Sequence, residues 1–179
     1  ASPFAARINC PRRFCHDPSR SQCCSPLKAL DSTGSGAISD VVEAIDFAVS
    51  HGAGVINCSF GTEAFSQSLL DAIARASLSG VLVVASAGNN GWDLSQTPYY
   101  PASYAASNLI AVAATNNSDL LATFSNYGAN NVHIAAPGVD VLTTYPNNRY
   151  VTMTGTSAAA PLVAGVAGTP RFRRRKASS

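Results

Sequence analysis

Residues 152–168, TMTGTSAAAPLVAGVAG, place a serine where a polar turn meets an alanine-rich run. The run beginning near Ser157 is apolar and predicts a helix, so this serine falls in its first turn. Unpaired backbone N–H groups and the positive end of the helix dipole would stabilise negative charge on a neighbouring oxygen. On this motif alone two interpretations are open: a nucleophilic serine, or an ordinary Ser/Thr helix cap.

Alternating helices and strands must position this serine. Apolar residues recur at helical spacing in AISDVVEAIDFAVSHGAG and in FSQSLLDAIARASLSG, and short apolar strands are indicated in VINCSF, VLVVASAG and NLIAVAAT. VHIAAPG, VDVLTTY and YVTMTG form a strand-rich approach to the last helix. The alternation predicts an α/β fold, a mainly parallel sheet with helices on both faces in three αβα layers.

The composition is that of a packed globular domain. Of the 179 residues, 46% are hydrophobic and 12% are charged, about half of the usual charged fraction, which argues against disorder. The net charge of +2 owes much to the run RFRRRK at residues 171–176, so we expect no nucleic-acid partner. Apolar stretches are too short for a membrane helix, and ASPFAARINCPRRFC lacks the apolar core of a signal peptide.

Four of the five cysteines crowd the first 24 residues around His16, namely Cys10, Cys15, Cys23 and Cys24. A zinc site, structural disulfides and no specific role all stay open for them, although adjacent cysteines are not the usual zinc pair. Cys58 lies inside an apolar strand pattern and is interpreted as a small core residue.

The segment GTSAAAPLVAG resembles the serine motif of the subtilisin-like serine proteases (subtilases, peptidase S8 family), with Ala158 and Leu162 replacing the usual Met and His. VINCSFG, SGVLVVASAGNNG, YPASYAASNLIAVAATNNSDLLATFSNYG and IAAPGVDVLTTYP are similar to further family segments, in the same order. The resemblance covers residues 27–168. It implies a partial, incomplete subtilisin-like catalytic domain of a serine endopeptidase that hydrolyses peptide bonds through an acyl-enzyme.

The resemblance also implies roles for individual residues. Ser157 would be the nucleophile, and Asn89 would donate its side-chain amide to the oxyanion beside the Ser157 backbone N–H; Asn90 is its neighbour without that role. The edges SFG and ASAG would bind an extended peptide and line the first specificity pocket, and their small residues suggest an open pocket suited to apolar side chains. The predicted substrate-binding residues are Ser59, Phe60, Gly61, Ala85, Ser86, Ala87 and Gly88.

A serine needs a base, and the family supplies Asp, His and Ser in that chain order. Asp31 and His51 imitate this order, but LKALDSTGSGAISDVVEAIDFAV resembles the family segment that follows the histidine helix. His51 instead falls at the end of a predicted helix, where it complements the dipole. His16 and His133 fit no better. We therefore expect a fragment without the catalytic Asp and His, inactive alone; the alternative is a non-catalytic peptide-binding subtilase relative.

Three segments are expected: an atypical leader with no domain assigned (residues 1–26), the partial catalytic domain (27–168) and a disordered basic tail (169–179). Both ends lose their periodicity abruptly, and we hypothesise that they are foreign to the protease segment. The resemblance implies a polypeptide substrate, a secreted or extracytoplasmic location, and a monomer if the chain folds. Calcium is possible by family, but no ligand set is evident, and no residue is assigned to a metal.

Overall fold

Helices and strands alternate along the chain as the apolar patterns predict. The computed structural model describes residues 6–10, 23–31, 33–145 and 147–169. Its elements are β1 Ala6–Cys10, β2 Cys23–Leu27, α1 Ile38–Ser50, β3 Val55–Cys58, α2 Gln67–Leu78, β4 Leu82–Ser86, β5 Leu109–Thr115, β6 Ile134–Pro137, β7 Val141–Tyr145, β8 Arg149–Met153 and α3 Thr156–Ala167.

Four parallel strands form the centre of the main sheet, in the order β3-β4-β5-β6. Val55 pairs with Leu82, and Val83 pairs with Leu109, so the strands begin together at one edge and end together at the other. The apolar side chains of β3, β4 and β5 are mostly buried because helices cover both faces of the sheet, whereas Ile134 of β6 is 48% exposed. We call the edge where β3 and β4 end the carboxyl edge.

Each face of the sheet has its own apolar core. Helices α1 and α2 pack on one face through Val41, Ile45, Leu69 and Ile73. Helix α3 packs on the other face through its alanines. The predicted three-layer αβα arrangement is confirmed.

The beginning of the chain differs from the expectation of a poorly structured leader. β1 pairs antiparallel with β3, and β2 pairs antiparallel with β1, so the six-stranded order is β2-β1-β3-β4-β5-β6. The physical reason is that β3 would otherwise present unpaired N–H and C=O groups at a sheet edge. Periodicity could not reveal these strands, because five mixed residues carry no clear alternation.

The remaining strands form a separate antiparallel hairpin, β7-β8, which leads into α3. Cys58 is a free thiol in the apolar core, as its sequence context predicts, and burial raises its pKa to about 12. Cys24 is free and exposed. The side chains of Cys10, Cys15, Cys23 and His16, and the basic tail from residue 170, lie outside the described residues.

The described part of the chain contains neither a membrane-spanning helix nor a cluster of metal-ligating side chains. No helix there is long and apolar enough to cross a bilayer. Nor do three His, Cys, Asp or Glu side chains within those ranges come together as metal ligands would. Calcium therefore remains an expectation of the family resemblance.

Candidate functional site

Ser157 occupies the first turn of α3, as the sequence predicts, and is partly accessible to solvent. The helix is capped by Gly155, whose φ of +150° is available almost only to glycine. A Cβ on Gly155 would lie 3.3 Å from Nδ2 of Asn89. The turn before the serine therefore brings the Asn89 amide close to the start of the helix.

Thr156 holds Asn89 in a defined orientation. The Asn89 Oδ1 accepts hydrogen bonds from the Thr156 backbone N–H at 2.8 Å and from the Thr156 hydroxyl at 2.9 Å. The same hydroxyl accepts the Gly88 backbone N–H at 3.1 Å, and Thr156 is fully buried. Because the carbonyl end of the amide is occupied in this way, its Nδ2 donor end is left for another acceptor.

A proline inside α3 changes the hydrogen bonding of Ser157. Pro161 has no N–H, so the Ser157 carbonyl four residues earlier receives no helical hydrogen bond. The Ser59 hydroxyl replaces it, donating to the Ser157 carbonyl at 3.0 Å. Asn57 Nδ2 in turn donates to the Ser59 hydroxyl at 2.9 Å, which directs that hydroxyl proton toward Ser157. The end of β3 thus anchors the start of α3.

Asn126 secures the loop that carries Asn89, residues 87–92, which we call the oxyanion loop. The fully buried Asn126 side chain donates from Nδ2 to the Ala87 carbonyl at 2.9 Å. Its Oδ1 accepts the backbone N–H groups of Asn90 and Trp92, both at 3.0 Å. Asn126 therefore contacts the loop on both sides of Asn89. The sequence offered no sign of this residue's role.

The predicted substrate-binding residues lie together at the carboxyl edge. Ser59 to Gly61 follow β3, and Ala85 to Gly88 form the end of β4 and the turn after it. The Ala85 and Ala87 side chains are packed in the core beneath the sheet, so only backbone atoms could meet a peptide there.

The ring of Tyr99 lies against both edges, where the sequence suggested an open pocket. A Cβ on Gly61 would overlap Cε1 of Tyr99, and a Cβ on Gly88 would lie 2.9 Å from Cδ1 of the same ring. Tyr99 therefore leaves no room for a side chain at Gly61. At Gly88 such a Cβ would also overlap the Nδ2 of Asn126, and the φ of +103° requires glycine as well. Sequence reasoning assigned Tyr99 no role.

A cleft of about 280 Å³ opens beside Phe60 and Gly61. Its other walls come from the glycine-rich loop at residues 34–36, from α1 and α2, and from Tyr100. The sequence assigned these wall residues no role, although the glycine-rich loop is the kind of segment that often borders a binding cleft.

His51 does not lie at the carboxyl edge. It caps the end of α1, its ring stacks on Phe47 at 3.8 Å, and its Nδ1 lies 2.8 Å from the Phe47 carbonyl. Because β3 begins at Val55, four residues later, His51 is at the opposite edge of the sheet from Asn89. His133 is hydrogen-bonded to β5, where its Nδ1 accepts the Ala111 backbone N–H at 3.0 Å.

Asp31 is bound into its own loop. Hydrogen bonds from Thr33, first from its hydroxyl and then from its backbone N–H, lower the pKa of the Asp31 carboxyl, and the Ser35 N–H adds to the effect. A carboxylate engaged in this way stabilises a turn. Asp31 is thus engaged within its own loop, and His51 at the end of α1.

A serine at the start of a helix, beside an asparagine amide, is suited to acyl transfer. Comparison with known proteins identifies the family of this chain. The Subtilase family of peptidases (Peptidase S8) matches residues 25–172. This chain belongs to the subtilase family. The matched range nearly coincides with the residues 27–168 over which the sequence motifs were found.

Individual subtilases align with most of this chain. The Thermophilic serine proteinase of Bacillus sp. (strain AK1) is 49% identical over 141 residues, covering 79% of this chain and 34% of the relative. Subtilisin DY of Bacillus licheniformis is 45% identical over 142 residues, covering 79% of this chain and 51% of the relative.

The fold comparison agrees with the sequence comparison. The crystal structure of a cold adapted subtilisin-like serine proteinase superposes with a TM-score of 0.72 at 33% identity, covering 81% of this chain and 55% of that protein. The chain therefore spans about a third to a half of the length of these subtilases. Its fold is an incomplete subtilisin-like αβα sandwich.

Proposed function

We propose that this chain is a catalytic-domain segment of a subtilisin-like serine endopeptidase, with Ser157 as nucleophile and Asn89 as oxyanion donor. In such an enzyme the Ser157 hydroxyl oxygen attacks the peptide carbonyl carbon as a base takes its proton, and the base then gives that proton to the leaving amine as the C–N bond breaks. Water hydrolyses the resulting acyl-enzyme, releasing the acid and restoring the serine hydroxyl. The Asn89 Nδ2 and the Ser157 backbone N–H would donate to the carbonyl oxygen as it becomes negatively charged.

The observation that carries the proposal is the fixed orientation of the Asn89 amide. Thr156, the residue before the serine, donates from its backbone N–H and from its hydroxyl to the carbonyl end of that amide. Nδ2 is therefore the end that remains, and it lies next to the Gly155 turn. Ser157 is not the helix cap, since Gly155, which has no side chain, holds that position. A structural role for the serine alone would also not require an asparagine to be held in this way.

We further propose that the chain alone lacks the base and acid. The positions of His51 and Asp31 support this, since one lies at the far edge of the sheet and the other is engaged in a turn. Without a base the serine hydroxyl is a poor nucleophile, so the isolated chain should have negligible activity. A non-catalytic, peptide-binding role through the SFG and ASAG edges is the alternative proposal.

The whole protein would act on polypeptides outside the cytoplasm. The bacterial proteases and subtilisins that this chain resembles support a polypeptide substrate and a secreted location. We propose no nucleic-acid partner and a monomeric state. The domain proper would run over residues 27–168.

A chimaera tests the assigned roles. Residues 27–168 would replace the aligned segment of the Bacillus sp. AK1 proteinase, and kcat would be measured on a peptide substrate. We expect Ser157→Ala to abolish activity and Asn89→Ala to lower kcat by about 100- to 1000-fold, the loss known for this donor in subtilisin itself. The control Asn90→Ala should stay near the unmodified chimaera. Equal losses at Asn89 and Asn90 would refute the oxyanion assignment.

A second measurement tests the missing base. The full 179-residue chain and its Ser157→Ala variant would be treated with a serine-directed fluorophosphonate probe. We expect equal, background labelling of the two proteins. Rapid labelling that requires Ser157 would show that the chain supplies its own base.

A further inference from the structure

Tyr99 lies between the two strand ends that flank the candidate nucleophile. The Cδ1–Cε1 side of its ring faces both Gly61 and Gly88: a Cβ on Gly61 would be 2.9 Å from Cδ1, and a Cβ on Gly88 would be 3.0 Å from Cε1. The Asn126 Nδ2 lies closer still to the Gly88 position, and the φ of +103° there itself favours glycine. The same edge of the Tyr99 ring thus lies close to both backbones.

The backbone of Tyr99 is held firmly in this position. Its N–H donates to the Ser103 hydroxyl at 3.0 Å, and its carbonyl accepts the Ser103 N–H at 2.9 Å. The next residue, Tyr100, exchanges two backbone hydrogen bonds with Thr62, at 2.7 and 2.8 Å. Tyr99 is thus tied to the same segment that it packs against.

The far end of the Tyr99 ring also lies in a restricted environment. Burial raises the pKa of the Tyr99 hydroxyl, and the nearby charge of Glu63 raises it further. The side chain is partly buried overall. Because protein atoms pack closely, a second large side chain could not enter the space beside Gly61 and Gly88 without displacing the Tyr99 ring.

We propose that Tyr99 is a specificity-determining residue that fills the pocket between Gly61 and Gly88 and limits the substrate residue bound there to Gly or Ala. The inference rests on the proposed function, because the pocket matters only if a peptide lies along the two edges beside Ser157. A benzyl or branched side chain would have to expel the tyrosine ring from between the glycines. A methyl group or a hydrogen atom would not.

Peptide titrations of the full 179-residue chain test the substrate preference. N-acetyl-Ala-Ala-Ala-Ala amide and N-acetyl-Ala-Ala-Ala-Phe amide would be added to the ¹⁵N-labelled protein while the Gly61 and Gly88 amide signals are followed. The wild-type chain should bind the Ala peptide at least about tenfold more tightly than the Phe peptide. Tyr99→Ala should remove or reverse this preference, and the control Tyr127→Ala should retain it. Equal binding of both peptides by the wild-type chain would overturn the proposal.

Two further measurements do not depend on peptide binding. In the wild-type protein, nuclear Overhauser contacts should connect the Tyr99 ring protons with the α-protons of Gly61 and Gly88; their absence would overturn the proposal even if Tyr99→Ala does not fold. p-Cresol should shift the Gly61 and Gly88 signals of Tyr99→Ala and leave those of the wild-type protein unchanged. Failure of both peptides to bind would contradict the proposed function, while these two measurements would still decide the position of Tyr99.

Discussion

Two asparagines, Asn126 and Asn108, bind neighbouring backbone groups through their side-chain amides, at opposite edges of the sheet. Asn126 holds the oxyanion loop beside Ser157 through three hydrogen bonds. Asn108 lies just before β5 and donates to the carbonyls of Ile73 and Val81, at 3.1 and 2.9 Å. Asn126 is fully buried and Asn108 partly buried, so the loss of either amide should destabilise the fold, but only Asn126 adjoins the loop that carries Asn89.

Comparing alanine variants of Asn126 and Asn108 separates a local effect on the oxyanion loop from general destabilisation of the fold. We expect Asn126→Ala to increase hydrogen exchange at the Asn90 and Trp92 amides by about tenfold or more beyond the change seen in β4, because their shared acceptor is lost. Asn108→Ala should change these two amides only as much as the global stability changes. Exchange would be followed residue by residue by NMR. Unprotected Asn90 and Trp92 amides in the wild-type protein would already contradict the contact with Asn126.

Helices α1 and α2 form one layer of the fold. We expect this layer to be stabilised mainly by apolar contacts with the sheet beneath it. The bidentate ion pair between Arg75 and Asp46, at 3.1 and 2.8 Å, links the two helices at the surface. Both side chains are nearly half exposed, so this pair contributes little. Apolar contacts such as that of Leu69, which is 1% exposed, should dominate.

Two of the three leucines of α2, Leu69 and Leu78, give a matched test of this view. Leu69→Ala creates a cavity between α2 and the sheet and should lower the free energy of unfolding by about 2–5 kcal/mol. Leu78→Ala, at the end of the same helix where the side chain is 90% exposed, should change it by less than about 0.5 kcal/mol. Urea denaturation of both variants provides the comparison. Similar values for the two would mean that α2 does not pack as described.

On the scale of the whole molecule, α3 has more apolar surface than the rest of the described structure covers. Its alanines face the sheet, while Leu162 and Val166, one turn apart, are 42% and 58% exposed. A Cβ at Gly165 would meet nothing within 4 Å. A helix that is apolar all round normally lies in the interior of a protein. The chain also spans only a third to a half of its relatives' lengths.

This exposed apolar face should make the isolated chain prone to associate. We expect the double variant Leu162→Gln and Val166→Gln to bind less of the hydrophobic dye ANS and to sediment as a smaller species than the wild-type chain. The control Leu142→Gln removes a single exposed leucine from the β7-β8 hairpin and should have little effect. Unchanged dye binding in the double variant would show that the α3 face is not the adhesive surface.

The amino-acid sequence by itself determined the helices, the central parallel strands and the position of Ser157 at a helix start. These features depend on local periodicity and on turn residues within short windows. It also placed His51 at the end of α1, because the apolar pattern stops just before it. The motifs in their order led to the subtilase family, and the sequence comparison confirmed it.

Only the tertiary structure decided how distant residues meet. The antiparallel pairing of β1 with β3, the hold of Asn126 on the oxyanion loop and the place of Tyr99 between Gly61 and Gly88 all join residues far apart in the chain. No local pattern encodes such contacts, since they depend on the shape that the packed layers leave between them. For that reason the small residues read as an open pocket, whereas in the folded molecule Gly61 and Gly88 lie against the ring of Tyr99.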